Sequence, residues 1–185
     1  MIPKKSVPYF DTGWASVFGK YHAQKDCDPA MPQFSTKRRV RHSAADMFAL
    51  VADVERYPEF VPFCRSLKLR KRGQDERGRD TIVCEMTVVY KIIHETFTTR
   101  VTLDKAEQQI LVDYLSGPFN RLDNRWRFRD AGESACDVEF YLHYEFRSRA
   151  LAMVMGAMFE MVFRRFADAF ERRADQVYAG RKAET

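Results

Sequence analysis

The segment NRLDNRWRFRD, residues 120–130, alternates between two kinds of side chain at every step. One set of positions carries Leu122, Asn124, Trp126 and Phe128, and the other set carries Arg121, Asp123, Arg125, Arg127 and Arg129. A period of two belongs to a β-strand, in which successive side chains point to opposite faces of the sheet. The segment therefore predicts a strand with one face towards the core and a charged face towards solvent.

The same alternation recurs from about residue 66 to residue 146, with short turns between the segments. Six consecutive strands connected in this way predict an antiparallel meander with one apolar face. Gly117 and Pro118 supply one corner, since proline fits only where no ladder donor is needed. His94 and His143 fall on the outer face by alternation. The inner face is assigned Ile82, Cys84, Met86, Val88, Ile93, Glu95, Phe97, Thr99, Val101, Leu103, Cys136, Val138, Phe140, Leu142, Tyr144 and Phe146.

Helical patterns flank the meander on both sides. A strand from Gln33 to Arg41 precedes Ser43, which is an N-cap candidate for a helix reaching about Asp53. After Ser148, one long helix to about Tyr178 has apolar residues at three- and four-residue intervals. This stripe comprises Leu151, Val154, Met155, Met158, Phe159, Val162, Phe166 and Phe170. The order predicts an α+β helix-grip fold, a curved antiparallel sheet wrapped around the C-terminal helix with an internal hydrophobic cavity.

Composition narrows the class of protein further. A chain of 185 residues that is 45% hydrophobic is long enough for one domain with a sizeable core. The net charge of +5 permits an acidic partner without identifying one. The cysteines lack the spacing of a zinc site or a redox dithiol, so we expect reduced, small apolar residues at Cys27, Cys64, Cys84 and Cys136. No apolar run is long enough to span a membrane, and we expect a soluble chain.

The sequence predicts three regions. Residues 1–30 have no sustained period and read as an irregular N-terminal extension, residues 31–180 form the domain, and residues 181–185 form a disordered tail. The extension resembles neither a secretory signal nor a transit peptide. Because alternation begins just after Met31, we also consider that translation starts there and that residues 1–30 are not native.

Two motifs and the last helix carry a family resemblance. SAADMFALVADVERYPEFVPFC at 43–64, GPFNRLDNRWRF at 117–128 and the Phe- and Met-rich helix resemble the START-like polyketide cyclase/dehydrase superfamily. The similarity is greatest to its ubiquinone (coenzyme Q)-binding branch, which includes the RatA ribosome-association toxin family. The resemblance implies a non-catalytic carrier of ubiquinone or a similar polyprenyl lipid, serving respiratory electron transport or quinone biosynthesis. The family has bacterial and mitochondrial members. Because residues 1–30 do not resemble a transit peptide, we expect a bacterial cytoplasmic protein in peripheral contact with the inner membrane.

The residues expected to contact this lipid share an apolar or inward position. They are Tyr57, Phe60, Val61, Phe63, Met86, Glu95, Phe97, Leu122, Trp126, Phe128, Phe140, Tyr144, Met155, Met158, Phe159 and Val162. The segment from Tyr57 to Phe63 is a candidate gate that dips into a bilayer, or alternatively a short helix packed on the sheet end. Basic residues near the next hairpin either attract anionic headgroups or are simply solvated: Lys68, Arg70, Lys71, Arg72, Arg77 and Arg79.

Two other function classes remain open. Catalysis has weak support, because Glu95 is the one carboxylate on the predicted inner face and no nucleophile, base and orienting group come together. Ribosome binding is the stronger alternative, since outer-face arginines at two-residue spacing can meet successive phosphates. These are Arg121, Arg125, Arg127 and Arg129, and acidic residues interrupt the same surface. We expect no DNA partner, no metal and no catalytic cofactor.

Overall fold

The computed structural model describes residues 33–156 and 159–179, and the side chains of residues 159 and 160 are not described. The extension and tail predicted from sequence, together with Met158 and the side chain of Phe159, lie outside the described residues. The strands are β1 Gln33–Val40, β2 Cys64–Gln74, β3 Asp80–Tyr90, β4 Ile93–Asp104, β5 Gln109–Ser116, β6 Phe119–Asp130 and β7 Cys136–Phe146. The helices are α1 Ala44–Ala52, α2 Tyr57–Phe60, α3 Arg149–Gly156 and α4 Phe159–Tyr178, with a 3-10 turn at Val54–Arg56.

All seven strands form one antiparallel sheet in the order β1-β7-β6-β5-β4-β3-β2. The six-strand meander predicted from sequence is therefore confirmed as β2 to β7. Strand β1 pairs with β7 and extends the sheet at that edge. The sheet curves around the C-terminal helices, which is the helix-grip arrangement of an α+β fold.

The alternation assigns the faces of the sheet correctly. Ile110, Phe128 and Val138 are buried on the inner face, whereas Arg121 and Arg125 are exposed on the outer face. Two outer-face residues differ from solvated positions, because Thr102 and His143 are each only 5% exposed. Alternation specifies which face a side chain occupies but not what covers that face.

Helix α1 closes one end of the sheet. The Ser43 hydroxyl accepts a hydrogen bond from the Asp46 amide at 3.1 Å, so the predicted N-cap is confirmed. The expected apolar stripe is also buried: Met47, Leu50, Val51 and Val54. The Tyr178 hydroxyl at the end of α4 donates to the Asp46 carbonyl oxygen at 3.0 Å, which fixes α4 against α1.

Of the long C-terminal helix expected from Ser148 to Tyr178, the structure describes α3 and α4, which lie on either side of the undescribed residues 157–158. Ser148 does begin the first of them, since its hydroxyl accepts from the Leu151 amide at 3.3 Å. The predicted buried stripe includes Val154, but this residue is 41% exposed. Helix α3 has no buried residue, so its periodicity reflects an apolar face that the rest of the described chain leaves partly uncovered.

Ion pairs hold α4 across the sheet. Arg38 of β1 points to the inner face and donates to Asp168 of α4 at 2.9 Å, and it also pairs with Glu171. On the other side, Arg173 of α4 donates to Glu59 of α2 at 2.7 Å. These contacts, together with the buried Phe170 and Ala174, seat the C-terminal half of α4 on the sheet.

The corner at Gly117 and Pro118 brings three strands close together. Gly117 has φ +136°, and a Cβ there would lie 2.5 Å from the Cβ of Phe97 on β4. Only glycine fits such a close approach in this backbone conformation. The Pro118 carbonyl accepts from the Arg147 amide at 2.9 Å, so the corner is also tied to the end of β7.

Candidate functional site

The inner face of the sheet divides into a closed half and an open half. The closed half is buried and comprises Ile82, Cys84, Val101, Leu103, Ile110, Phe128, Cys136 and Val138. The open half is half-buried and comprises Met86, Val88, Tyr90, Ile93, Glu95, Phe97, Tyr114, Leu122 and Phe146. Burial of the inner-face side chains therefore decreases along β3 and increases along β4. In the antiparallel register Met86 pairs with Phe97 and Val88 pairs with Glu95, so the open-half residues of the two strands lie side by side.

The closed half is an ordinary hydrophobic core. Phe128 packs edge-on against Phe48 of α1, with ring centroids 6.0 Å apart. Each buried aliphatic or aromatic side chain of this kind contributes about 1.5–3 kcal/mol relative to exposure. Phe128, expected to contact the ligand, lies in this packed region and is 2% exposed. Its described contacts are those of a core residue.

Trp126 marks the boundary between the two halves. Its ring lies 4.6 Å from that of Phe140 and 5.5 Å from that of Phe170, and its indole N–H donates to Asn124 at 2.9 Å. The polar end of this side chain is thus satisfied inside the domain. Of the expected ligand contacts, Val162 and Phe140 are buried and Trp126 is half-buried at this boundary.

An aromatic cluster forms the wall of the open half beside the Gly117 corner. Phe119 stacks on Phe146 at 4.8 Å and meets Phe97 and Tyr114 edge-on, each at 5.6 Å. Tyr144 is buried next to Phe146, and burial raises the pKa of its hydroxyl. Tyr144 therefore stays neutral over the physiological range, which suits an apolar wall.

The polar groups of the open half are few. The Tyr114 hydroxyl accepts a hydrogen bond from the Phe119 amide at 3.2 Å, so it serves the corner. Glu95 is half-buried on the inner face, as the alternation predicted, while His94 is exposed on the other face. Among the described residues, no cluster of histidine, cysteine and carboxylate side chains is arranged to hold a metal ion.

The candidate gate from Tyr57 to Phe63 is largely packed. Tyr57 and Phe60 contact Phe170 edge-on at 5.4 and 5.2 Å, and the Tyr57 hydroxyl donates to the Val51 carbonyl at 2.6 Å. Burial raises the pKa of Tyr57, and Val61 is buried as well. These contacts favour the alternative of a short helix packed on the sheet end.

Phe63 is the residue of that segment that borders the open half. It has φ +66°, and its ring lies 4.7 Å from that of Tyr90. Its carbonyl accepts from the Val89 amide at 2.9 Å, which joins the start of β2 to the end of β3. On the helical side, Met155 is half-buried, and it is the expected ligand contact that the structure describes on α3.

Val88, Tyr90 and Ile93 are open-half residues that were not among the expected ligand contacts. The signal was present, because Val88 and Ile93 already stood on the inner face by alternation. Tyr90 continues the same period of two at the end of β3. These residues differ from core residues only in how deeply their side chains are buried. A period-two pattern shows which face a side chain occupies but not its depth of burial.

The outer face carries a cleft of about 970 Å³ whose walls are both polar and apolar. Two of the four arginines expected to meet phosphates, Arg125 and Arg127, line this cleft, and two of the four have acidic partners. Arg125 donates to Asp123 at 2.7 Å, and Arg129 lies 3.5 Å from Glu139. The basic hairpin is similar, since Arg70 pairs with Glu85, Arg72 with Glu55, and Arg79 with Asp75 and Asp104. Much of the positive charge is therefore internally compensated.

An antiparallel sheet that grips C-terminal helices and keeps half of its inner face open defines a helix-grip protein with an inner apolar surface. The sequence matches the family described as polyketide cyclase/dehydrase and lipid transport over residues 40–171. The chain belongs to this family.

Known relatives and a solved structure extend this finding. The ribosome association toxin RatA of Escherichia coli is 34% identical over 151 residues, which cover 82% of this chain and 92% of the relative. The mitochondrial coenzyme Q-binding protein COQ10 of Drosophila melanogaster is 26% identical, with 74% of this chain and 56% of the relative covered. The crystal structure of the Zhui aromatase/cyclase from Streptomyces has a TM-score of 0.70 at 17% identity, covers 79% of this chain and 94% of its own, and shows the shared fold.

Proposed function

We propose that this protein binds and carries ubiquinone or a similar polyprenyl lipid without catalysing a reaction on it. The observation that carries the proposal is the open half of the inner face, where contiguous apolar side chains stay partly accessible inside the grip of the helices. The family's description includes lipid transport, and a relative is named as a coenzyme Q-binding protein.

The lining suits a flexible isoprenoid chain. Met86 and Met155 are adaptable side chains, and Phe97, Phe146 and Tyr90 add large apolar surface. Each methylene that leaves water for such a surface contributes about 0.8 kcal/mol, so a tail of several isoprene units binds without polar contacts. The long polyprenyl tail, rather than the quinone ring, would supply most of the affinity.

The composition of the open half supports a carrier that catalyses no reaction. Glu95 is its one carboxylate among the described residues, and His94 lies on the opposite face of the same strand. A general base needs a reacting group and an orienting partner within hydrogen-bond reach.

We place the carrier in quinone biosynthesis or respiratory electron transport at the inner membrane of a bacterium. No helix in the described part of the chain has the length and apolar character needed to cross a bilayer.

A steric block of the open half tests this proposal. Val88 faces inward and Val89 faces outward on the same strand, and both are half-buried. We expect organic extracts of protein purified from quinone-producing cells to contain near-stoichiometric quinone, measured by mass spectrometry. Val88→Trp should remove most of it, and the matched control Val89→Trp should retain it. Equal quinone in both variants, or none in the native protein, would refute the carrier function.

Ribosome binding is a second candidate, because a relative with 34% identity over most of the chain is named as a ribosome association toxin. The compensated arginines of the outer face weaken a phosphate-binding surface there. Arg121 is exposed and has no ion pair among the described residues. Salt-sensitive cosedimentation with large ribosomal subunits, lost on Arg121→Glu, would support this candidate. A protein that stays in the supernatant at low salt would exclude it.

A further inference from the structure

One end of the molecule exposes large apolar side chains. Because the strands are antiparallel, this end brings together the turn between β3 and β4, the Gly117 corner between β5 and β6, and the start of α3 after β7. Ile92 is 93% exposed at the tip of the β3–β4 turn, and Met153 is 78% exposed on α3. Leu115 and Val154 are exposed at the same end. We call these four residues the apolar tip.

Residues of the apolar tip adjoin the open half along the chain. Ile92 sits between Tyr90 and Ile93, which belong to the open half, and Leu115 follows Tyr114. Val154 precedes Met155 on α3, and Met155 is half-buried. Exposed apolar residues therefore border the open half at this end of the molecule.

Basic side chains surround the apolar tip. Lys91 precedes Ile92, Arg149 begins α3, and Arg121 follows the Gly117 corner. Among the described residues, these three side chains form no ion pair. Positive charge that no ion pair compensates among the described residues thus lies beside the exposed apolar residues.

We propose that the apolar tip and its basic surround dock this protein on an anionic lipid bilayer, with Ile92 and Met153 inserted below the headgroups. Exposed apolar residues gain free energy in the acyl region, and lysine and arginine gain it at an anionic surface. This proposal rests on the proposed function, because docking places the open half against the bilayer that supplies the lipid. It also replaces the segment from Tyr57 to Phe63 as the membrane contact.

Flotation with lipid vesicles tests the docking surface. We expect the protein to float with phosphatidylcholine vesicles that contain phosphatidylglycerol and to float weakly with phosphatidylcholine alone. Replacing both Ile92 and Met153 by glutamate should lower the partition coefficient at least about tenfold, since it removes apolar insertion and adds repelled charge. Arg149→Glu alone should lower it by several fold on anionic vesicles and leave the weak binding to neutral vesicles unchanged.

The matched control uses exposed apolar residues elsewhere. Leu69 on β2 is 37% exposed and Val177 at the end of α4 is 50% exposed, and neither belongs to the apolar tip. The double variant Leu69→Glu, Val177→Glu should bind vesicles like the native protein. Because Ile92 and Met153 are so exposed, the urea midpoint of their double variant should match that of the native protein.

The outcomes separate the docking surface from the carrier function. Extracted quinone is measured for every variant. Because docking supplies the lipid, the amount should fall when Ile92 and Met153 are replaced and should be unchanged in the control variant. Native protein that contains quinone but does not float overturns the docking surface and leaves the carrier function intact. Equal loss of flotation in the control variant also overturns it. The native protein could instead bind ribosomes or form a dimer without binding vesicles. If replacing Ile92 and Met153 then abolished that association, the apolar tip would belong to another partner and the proposal would be overturned.

Discussion

The Gly117 corner gives a prediction whose magnitude follows from the geometry. In Gly117→Ala, the new Cβ would stand 2.5 Å from the Phe97 Cβ, 2.9 Å from its Cα and 3.0 Å from the Thr96 carbonyl oxygen. Two of these neighbours are main-chain atoms and the third is a Cβ, so none can rotate away. Forcing φ +136° on alanine costs about 1–3 kcal/mol, and overpacking adds about 1–3 kcal/mol. We therefore expect the free energy of unfolding to fall by about 2–6 kcal/mol.

Gly132→Ala is the matched control. Gly132 has φ +123°, but no heavy atom would lie within 4 Å of a Cβ added there, so the substitution costs only the backbone strain. Urea unfolding followed by tryptophan fluorescence measures both variants, and a stability loss appears as a lower midpoint at constant slope. If Gly117→Ala loses no more stability than Gly132→Ala, the close packing of β4 against the Gly117 corner does not add to the cost of the substitution, and the reasoning is refuted.

Three further predictions concern packing, acid stability and thiol reactivity. Phe170→Ala should lower the free energy of unfolding by about 3–5 kcal/mol, because a side chain that is 5% exposed leaves a cavity, and a loss below about 1 kcal/mol in urea unfolding would contradict its core role. A hydrogen bond from Arg39 lowers the pKa of Asp137 in the folded protein. The ionised Asp137 therefore stabilises the fold at pH values above the ordinary aspartate pKa, and this stabilisation is lost as the pH falls through the lowered pKa. Asp137→Asn should flatten the acid side of the stability profile, and an unchanged profile would contradict the pairing. Burial raises the pKa of Cys64 to about 11 and that of Cys136 to about 12. Peptide mapping after alkylation at about pH 8 should therefore find both thiols unlabelled in native protein and labelled in urea. Rapid labelling of the native protein would contradict their burial.

Period-two patterning predicted most of the sheet because side-chain direction in a strand is a local property. The inner face from Ile82 to Phe146 and the caps at Ser43 and Ser148 are confirmed for this reason. What sequence did not provide is the cross-strand register. The neighbours of Arg39 and Arg129 on β7 include Asp137, and only that register shows how far the outer-face charge is compensated.

The candidate site was predictable in part. Met86, Phe97 and Leu122 were expected on the inner face and lie together in the open half, whereas Phe128 lies in the closed half. Both groups have the same alternation, and they differ in whether α1 and the C-terminal half of α4 cover them. Such coverage depends on tertiary contacts like Phe48 on Phe128, which no local pattern encodes. The packing of the candidate gate was not predictable for the same reason, since the contacts of Tyr57 and Phe60 with Phe170 are tertiary.

Native mass spectrometry of the protein purified from quinone-producing cells tests the carrier function most directly. We predict a major species heavier than the polypeptide by the mass of one polyprenyl quinone, and we predict that Val88→Trp reduces this species while Val89→Trp does not. A spectrum of lipid-free polypeptide, from preparations in which the protein cosediments with large ribosomal subunits, would contradict the carrier function.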